Sequence, residues 1–452
     1  MPVSRRCFLT ASGSVTAALG LGLPALGDLR EAEEFRAAIL PGDWGRIRRD
    51  FFDLSPGSIY MNNSTLGATL RPVAERMAEV QKVFSEGCNL DRWVAEIITG
   101  IRPVREAMAR VAHAPSGGGT IGNVDSVTEG MSLVAAGLTF GPGDVIVTTD
   151  HEHTGGRTMW QLQADRFGAR VVTVPLLSAG DTEATWAGGL LARFEEVLRS
   201  GDVRCVSFPW ITTSTGHVLP ARDICSLARR YGAVSVVDAA QAFAVLPLDL
   251  EEMDCDFCVV NGHKYLCGPI GSGFLSVHPR WLEPPASFWG TVVDENCYNP
   301  QQPSRHFPQR KGGISALTNV LPLLQALTFY EALGTERVAR RLLAIGTWLR
   351  NGLCAHPDRI ELVTPSSPEL SCVMTCFRMK PPGPGSAETV ERLKTEFGIH
   401  VKHATEGGAD AVRLSPHYYN TPREFRSLAR AIGSIARAGP QSFFSEDPPD
   451  LP

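Results

Sequence analysis

The sequence predicts an α/β fold: a large domain on a mostly parallel sheet, followed by a smaller α+β unit. Three observations predict it. Short apolar runs alternate with helix-length amphipathic stretches, the pattern of strands whose crossovers cover both faces of a sheet. Two of those runs end in polar groups: Ala-Val-Ser-Val-Val reaches Asp238, and Phe257 to Val260 delivers Asn261-Gly-His-Lys264. The chain has 452 residues, 43% hydrophobic and 20% charged, which is long enough for two domains.

The elements follow in order. Residues 1–27 carry Ser4-Arg5-Arg6-Cys7-Phe8-Leu9, then a mildly apolar Gly/Ala-rich run, with small residues at Ala25-Leu26-Gly27 for cleavage before Asp28. This resembles a twin-arginine signal peptide and implies export by the twin-arginine machinery to a periplasmic or secreted location. The plainer alternative is a basic tail before an ordinary helix. Residues 28–70 read as an N-terminal arm with a charged, helix-like stretch from Leu29 to Leu54. Over 71–113 the spacing of Val73, Met77, Val80 and Val83 predicts helix. Strands are expected at 144–149, 170–174, 203–208, 233–237, 257–260 and 273–277, and helices at 186–199 and 221–231, among others. The Pro- and aromatic-rich stretch from Trp281 to Gln309 reads as a linker. Residues 71–310 thus form the large domain. A long helical pattern starts at Ile314 within a small domain spanning 311–438, and 439–452 is a polar, Pro-rich tail expected to be disordered.

Composition excludes some functions. The net charge of −5 leaves no basic stripe for nucleic acid. Beyond the leader, no run of about 18 apolar residues offers a stable membrane anchor. Eleven cysteines are present. The leader would take Cys7, and an oxidising compartment would permit a disulfide that the sequence does not place. Cys255-Asp-Phe-Cys258 has redox or zinc spacing. No second Cys/His pair follows, and Cys258 sits in an apolar strand, so core cysteine is the better reading.

Asp238 and Lys264 carry the chemistry. Ligands of open α/β sheets bind outside the carboxyl ends of strands, so both residues point to one crevice. A buried lysine forms Schiff bases, and an Asp keeps a pyridinium nitrogen protonated. Pyridoxal phosphate (PLP) needs those two groups most. Asp238 also suits a helix N-cap. Asp125-Ser-Val-Thr-Glu-Gly130 precedes an apolar helix and reads either as an anion-binding helix N-terminus or as a capping box. In Thr149-Asp-His-Glu-His-Thr-Gly-Gly-Arg-Thr-Met-Trp160, His151 and His153 would share a strand face as metal ligands, but no third ligand is suggested nearby.

Together with Gly-His-Lys264-x-x-x-Gly-Pro, Asp238-Ala-Ala-Gln241 and Ala411-Val-Arg-Leu-Ser-Pro-His-Tyr-Tyr-Asn-Thr421, these motifs resemble the class V aminotransferase family of fold-type I PLP enzymes, over residues 55–435. The resemblance implies a seven-stranded sheet, bound PLP and a homodimer. It implies Lys264 as the catalytic Schiff-base lysine, Asp238 facing the ring nitrogen, Gln241 on the ring 3′-oxygen and His153 stacked on the ring. It places Thr128, through its hydroxyl, and Val127, through its backbone, on the phosphate, with Asn261 and His263 as further phosphate-side donors. Thr213 would touch the cofactor. Arg413 would clamp the substrate α-carboxylate, with Asn63 beside the substrate. Arg310-Lys-Gly-Gly313 falls where relatives carry a Thr that reaches the partner's phosphate, so Gly313 offers only its backbone. Asn62, Trp289, Tyr298, His306 and His417 are expected near the pocket.

The resemblance leaves the reaction open. Desulfurases of the family carry a nucleophilic Cys shortly before the carboxylate Arg. Here the segment 398–408 has none, and no Cys follows Cys376. Ile211-Thr-Thr-Ser-Thr-Gly-His-Val-Leu-Pro220 looks like the isopenicillin N epimerase-like branch. The leader, fold and motif order also resemble a periplasmic PLP enzyme that tailors pyoverdine siderophores by oxidative decarboxylation. The expected substrate is an amino-acid moiety, free or on a peptide or secondary metabolite. An epimerase, an aminotransferase, a carbon–sulfur lyase or a silent PLP-binding protein are the alternatives.

Overall fold

Strands β1 (Ile121–Val124), β2 (Val145–Thr149), β3 (Arg170–Val174), β4 (Val203–Pro209), β5 (Val234–Asp238), β6 (Phe257–Asn261) and β7 (Gly273–Val277) form one sheet in the order β1-β7-β6-β5-β4-β2-β3. All run the same way except β7, which is antiparallel to both neighbours. The computed structural model describes residues 43–85, 90–115, 117–281, 317–437 and 444. The leader, the arm before residue 43, most of the 281–309 linker, Gly313, Trp289, Tyr298, His306 and nearly all of the tail lie outside the described residues.

The sheet is buried on both faces, and the alternation of its side chains shows it. Val145, Val147, Val237, Cys258 and Val260 enter one core cluster. Ile146, Val234, Val236, Phe257 and Val259 enter the other. Helices cover these faces: α1 (Trp44–Phe51), α2 (Arg71–Ser85), α3 (Leu90–Val111), α4 (Val127–Gly137), α5 (Thr154–Phe167), α6 (Glu183–Leu198) and α7 (Ala221–Arg230) precede or interleave with the strands. The helical pattern over 71–113 is thus two helices. The long pattern after Ile314 is also broken, since Gly334, at φ +85°, separates α8 (Leu323–Leu333) from α9 (Thr335–Cys354).

A second sheet holds β8 (Ile360–Leu362), β9 (Thr375–Met379), β10 (Lys402–Ala404) and β11 (Ala411–Leu414), all antiparallel, in the order β10-β11-β9-β8. It packs with α9 and α10 (Ser386–Phe397), α11 (Pro422–Ile435) lies against α10, and the sheet's Phe377, Val412 and Leu414 continue the first core cluster. The N-terminal segment ties the two sheets together. Ile59 and Tyr60 pair in parallel with Ile399 and His400, Asn62 bridges to Ser415, and Arg48 forks onto Glu424 at 2.8 and 3.0 Å. Cys255 and Cys258 are buried, and every described cysteine is a free thiol. No described helix is long and apolar enough to cross a membrane.

Candidate active site

Asp238 ends β5, in register with Val259 of β6, and Lys264 follows three residues past the end of β6. Both therefore leave the carboxyl edge of the sheet at adjacent strands. The Lys264 backbone is held from several sides. Gly262 N–H donates to Ser272 O at 2.8 Å and Cys267 N–H to Lys264 O at 3.1 Å. Gly67 N–H donates to His263 O at 2.8 Å, and a Cβ at Gly67 would lie 1.8 Å from the Lys264 carbonyl oxygen, so only glycine lets the N-terminal segment cross here. His417 Nε2 sits 2.9 Å from Tyr265 O, and the Tyr265 hydroxyl pairs with Ser64 Oγ at 2.8 Å. His417 is fully buried behind Tyr265, so it supports the lysine loop and does not line the cleft. Burial pushes its imidazole down to about 3, which keeps it neutral.

Lys264 is half-buried. Burial lowers its pKa to about 8; Asp238 opposes that shift, and Arg413 adds to it. The Asp238 carboxylate takes the Ala240 N–H on Oδ1 at 2.8 Å, which leaves Oδ2 toward the cleft. Burial raises its pKa, against the Ala240 bond and the charge of Lys264. A second carboxyl stands beside it. Glu152 is 4% exposed, and neither of its oxygens has a hydrogen-bond partner among the described residues. Its Oε2 and Asp238 Oδ2 lie 3.1 and 3.4 Å from the point a Cβ on Gly156 would occupy. Burial, then the Asp238 charge, hold Glu152 well above the usual carboxylate range. His153 caps α5 and accepts the Gly155 N–H on Nδ1 at 3.1 Å, while its ring stays open to the cleft. Burial and then Lys264 lower its pKa, which favours a neutral, flat ring.

The phosphate-side expectations divide. Thr128, exposed in the first turn of α4, turns its hydroxyl to the start of α5, 2.6 Å from where a Cβ on Gly155 would sit. Two helix N-termini thus converge on that hydroxyl. Val127 departs from expectation. Its N–H is committed to Asn261 Oδ1 at 2.9 Å, so it is no free phosphate donor and instead fastens α4 to the end of β6. Ser126 also caps α4 by accepting the Glu129 N–H at 3.2 Å, so the capping and anion-site readings coexist in one turn. His263 shares Nδ1 with Ser272 O at 3.1 Å, leaving Nε2 as its available ring nitrogen.

The opposite wall comes from the small sheet and the N-terminal segment. Arg413, 1% exposed, donates to Thr213 O at 3.1 Å, Thr65 Oγ1 at 2.7 Å and Asn62 Oδ1 at 3.3 Å. Gln241 Nε2 donates to Ser64 O at 3.1 Å and reaches the Thr213 hydroxyl at 3.5 Å. Thr213 thus links the two walls. Asn63 is a correction. Its Nδ2 donates to Ser415 O at 3.1 Å and its Oδ1 accepts from the Tyr419 hydroxyl at 2.8 Å, so its side-chain polar atoms are spent inside the core. Asn62 faces the cleft instead. Thr65 and Gly67 were not foreseen; the polar run Asn62-Asn63-Ser64-Thr65 ahead of Gly67 was their only signal.

Pyridoxal phosphate fits this set. Lys264 offers an amine, Asp238 an oxygen for a ring nitrogen, and Thr128 a hydroxyl at a helix N-terminus. Gln241 Oε1 is a buried acceptor with no partner among the described residues, which a ring hydroxyl would satisfy. No group of three or more His, Cys, Asp or Glu side chains among the described residues is arranged to hold a metal ion.

Comparison with known proteins agrees with the geometry. The family model described as aminotransferase class-V matches residues 59–430. Isopenicillin N epimerase of Streptomyces clavuligerus is 29% identical over 408 residues, covering 87% of this chain and 98% of that one. A probable cysteine desulfurase of Halalkalibacterium halodurans is 26% identical over 393 residues, covering 83% and 92%. Among solved structures, a C-DES variant with glycine covalently linked to its PLP cofactor shares the fold, with a TM-score of 0.71, 24% identity and coverage of 84% and 97%. With the matched segment spanning both sheets and both walls of the cleft, the chain belongs to the aminotransferase class-V family and is a PLP-dependent enzyme of that fold.

Proposed function

We propose that this enzyme acts at the α-carbon of an amino-acid moiety, free or carried on a peptide or secondary metabolite, and that it tailors a natural product after twin-arginine export. One observation carries the first part: the Lys264 amine, three residues past the end of β6, lies close enough to both the Asp238 carboxylate and the Arg413 guanidinium to feel each charge. When bound, pyridoxal phosphate supplies the electron sink that weakens a bond to that carbon. Arg413 holds the α-carboxylate, and its own bonds to Thr213, Thr65 and Asn62 fix the guanidinium plane. That plane decides which bond to the α-carbon is presented for cleavage. Lys264 moves the proton. With its pKa lowered to about 8, roughly a tenth of it is neutral at pH 7, so Nζ serves as base and, once protonated, as acid at the α-carbon. Asp238 Oδ2 would accept a hydrogen bond from the ring nitrogen and so keep that nitrogen protonated, and the neutral His153 ring would cover the cofactor and exclude water.

Thiolate chemistry lacks its nucleophile. Residues 398–408 contain no cysteine. Cys376, across from Arg413 on β9, is fully buried and pushed up to about 12. Epimerisation is the second reading, favoured by the likeness to isopenicillin N epimerase. The leader favours tailoring over metabolic transamination, because amino donors and keto acids are not pooled outside the cytoplasm. Oxidative decarboxylation of the pyoverdine-tailoring kind is its leading form. A homodimer, with Gly313 lending a backbone N–H to the partner's phosphate, completes the proposal.

Product analysis separates the readings. An inverted stereocentre marks an epimerase, CO₂ with oxygen uptake an oxidative decarboxylase, a keto acid an aminotransferase and released sulfide a lyase. Holoenzyme whose spectrum no amino acid or peptide perturbs would be a silent binder, against the proposal. Export is tested by Arg5→Lys with Arg6→Lys, which should hold the protein in the cytoplasmic fraction. Unchanged export of that variant removes the second part.

A further inference from the structure

The small sheet sets Lys402 of β10 directly opposite Arg413 of β11. Side chains of such a pair leave the same face of the sheet with Cβ atoms about 5 Å apart, and like charges so placed repel. Across β11 the row ends at Cys376, a neutral thiol. Within this row no anionic residue lies between the two cations, and the acid that acts on both is Glu406, outside the row. Arg413 is bonded to a carbonyl, an amide oxygen and a hydroxyl. Among the described residues, no hydrogen bond or ion pair holds the Lys402 ammonium.

The surroundings keep this pair in the cleft. The charge of Lys402 acts on Lys264 and His153. Glu406, on the turn after β10, acts on all four cationic or basic groups, although Asp238 acts more strongly on Lys264 and His153. That turn is fastened to the cofactor-side domain: Ser214 Oγ donates to Glu406 O at 2.7 Å, and a Cβ on Gly407 would meet the His151 ring at 2.8 Å. The two cations differ in depth. Arg413 is 1% exposed, whereas Lys402 is only half-buried. A carboxylate on the reacting carbon takes the inner cation. The outer one is left for a group farther along the substrate.

We propose that Lys402 is an anion subsite, and that the substrate moiety carries a second acid group, as a dicarboxylic amino acid does. The inference rests on Arg413 holding the α-carboxylate. Such a substrate separates and neutralises two cations that repel each other in the free enzyme, which a neutral side chain does not.

The test is titration of PLP-loaded protein with L-glutamate and L-2-aminoadipate against L-glutamine and L-norleucine, followed by the cofactor's absorbance change. The acids should half-saturate at roughly tenfold lower concentration than the neutral analogues, the size of one charge-assisted hydrogen bond. Lys402→Gln should bring the ratio of acid to neutral affinity close to one, and Lys402→Arg should restore most of it. A retained cofactor spectrum and an unshifted melting curve exclude misfolding. Equal affinities in the wild type would overturn the subsite alone. So would a Lys402→Gln variant that weakens glutamate and glutamine to the same degree, since Lys402 would then share the α-carboxylate. If none of the four amino acids perturbs the wild-type spectrum, this inference falls, whereas the α-carbon reading falls only if peptide-borne amino acids are silent as well.

Discussion

The two walls of the cleft are built differently. The cofactor wall grows from the carboxyl ends of neighbouring strands: Thr128 after β1, Glu152 and His153 after β2, Asp238 at the end of β5 and Lys264 after β6. Each residue lies within a few positions of a strand that the sheet already fixes. The substrate wall is assembled over distance. Arg413 bonds to residues 200, 348 and 351 positions away. It exists only when the N-terminal segment, the Thr213 turn and the small sheet meet. The difference predicts a site whose cofactor chemistry and substrate grip fail separately.

The largest effect should come from the cofactor wall. Lys264→Ala should lower turnover by about 10⁴-fold and abolish the absorbance of lysine-bound PLP, while Arg413 and its partners stay in place. Arg413→Ala should do the reverse, raising half-saturating substrate by about 100-fold with that absorbance intact. Loss of the cofactor in this second variant would break the distinction between the walls. Gly67→Ala should injure both, because the added Cβ collides with the Lys264 carbonyl; denaturant melts should show about 2 kcal/mol of destabilisation, together with weakened PLP retention.

Glu152 sharpens the comparison by pH. Its folded-state pKa is raised, so the native state favours the proton. That contribution is full below the unfolded value of about 4.3 and is lost as pH rises through the folded value. Glu152→Gln never ionises, so the apoprotein variant should melt roughly 2 °C above wild type at high pH, with the gap closing in acid. A gap that persists in acid would mean that packing, and not charge, sets the difference.

The cofactor wall was legible in the sequence and the substrate wall only in part, for the same structural reason. Asp238 sits at a strand end and Lys264, His153 and Thr128 just past strand ends, and all six expected strands lie within one residue of the expected bounds at either end, β4 running one residue further to Pro209. β1 was not singled out because Ile-Gly-Asn-Val lacks an apolar run. Which of two adjacent asparagines faces the cleft was not legible. Asn63 turns inward because Ser415 and Tyr419, more than 350 positions away, take its amide. Val127 is the local counterpart. The turn was recognised, but its donor is consumed by Asn261, whose approach is set by strand order and not by the motif.

The central claim is that Lys264 moves a proton at the α-carbon of a substrate held by Arg413. Incubation of the PLP-loaded enzyme with amino acids in heavy water, followed by mass spectrometry, tests it most directly. Deuterium should enter the α-position of substrate or product with the wild type, fall steeply with Arg413→Ala and disappear with Lys264→Ala. Exchange that continues undiminished in Lys264→Ala, or a wild type that exchanges no α-proton in any amino acid it binds, would contradict the account.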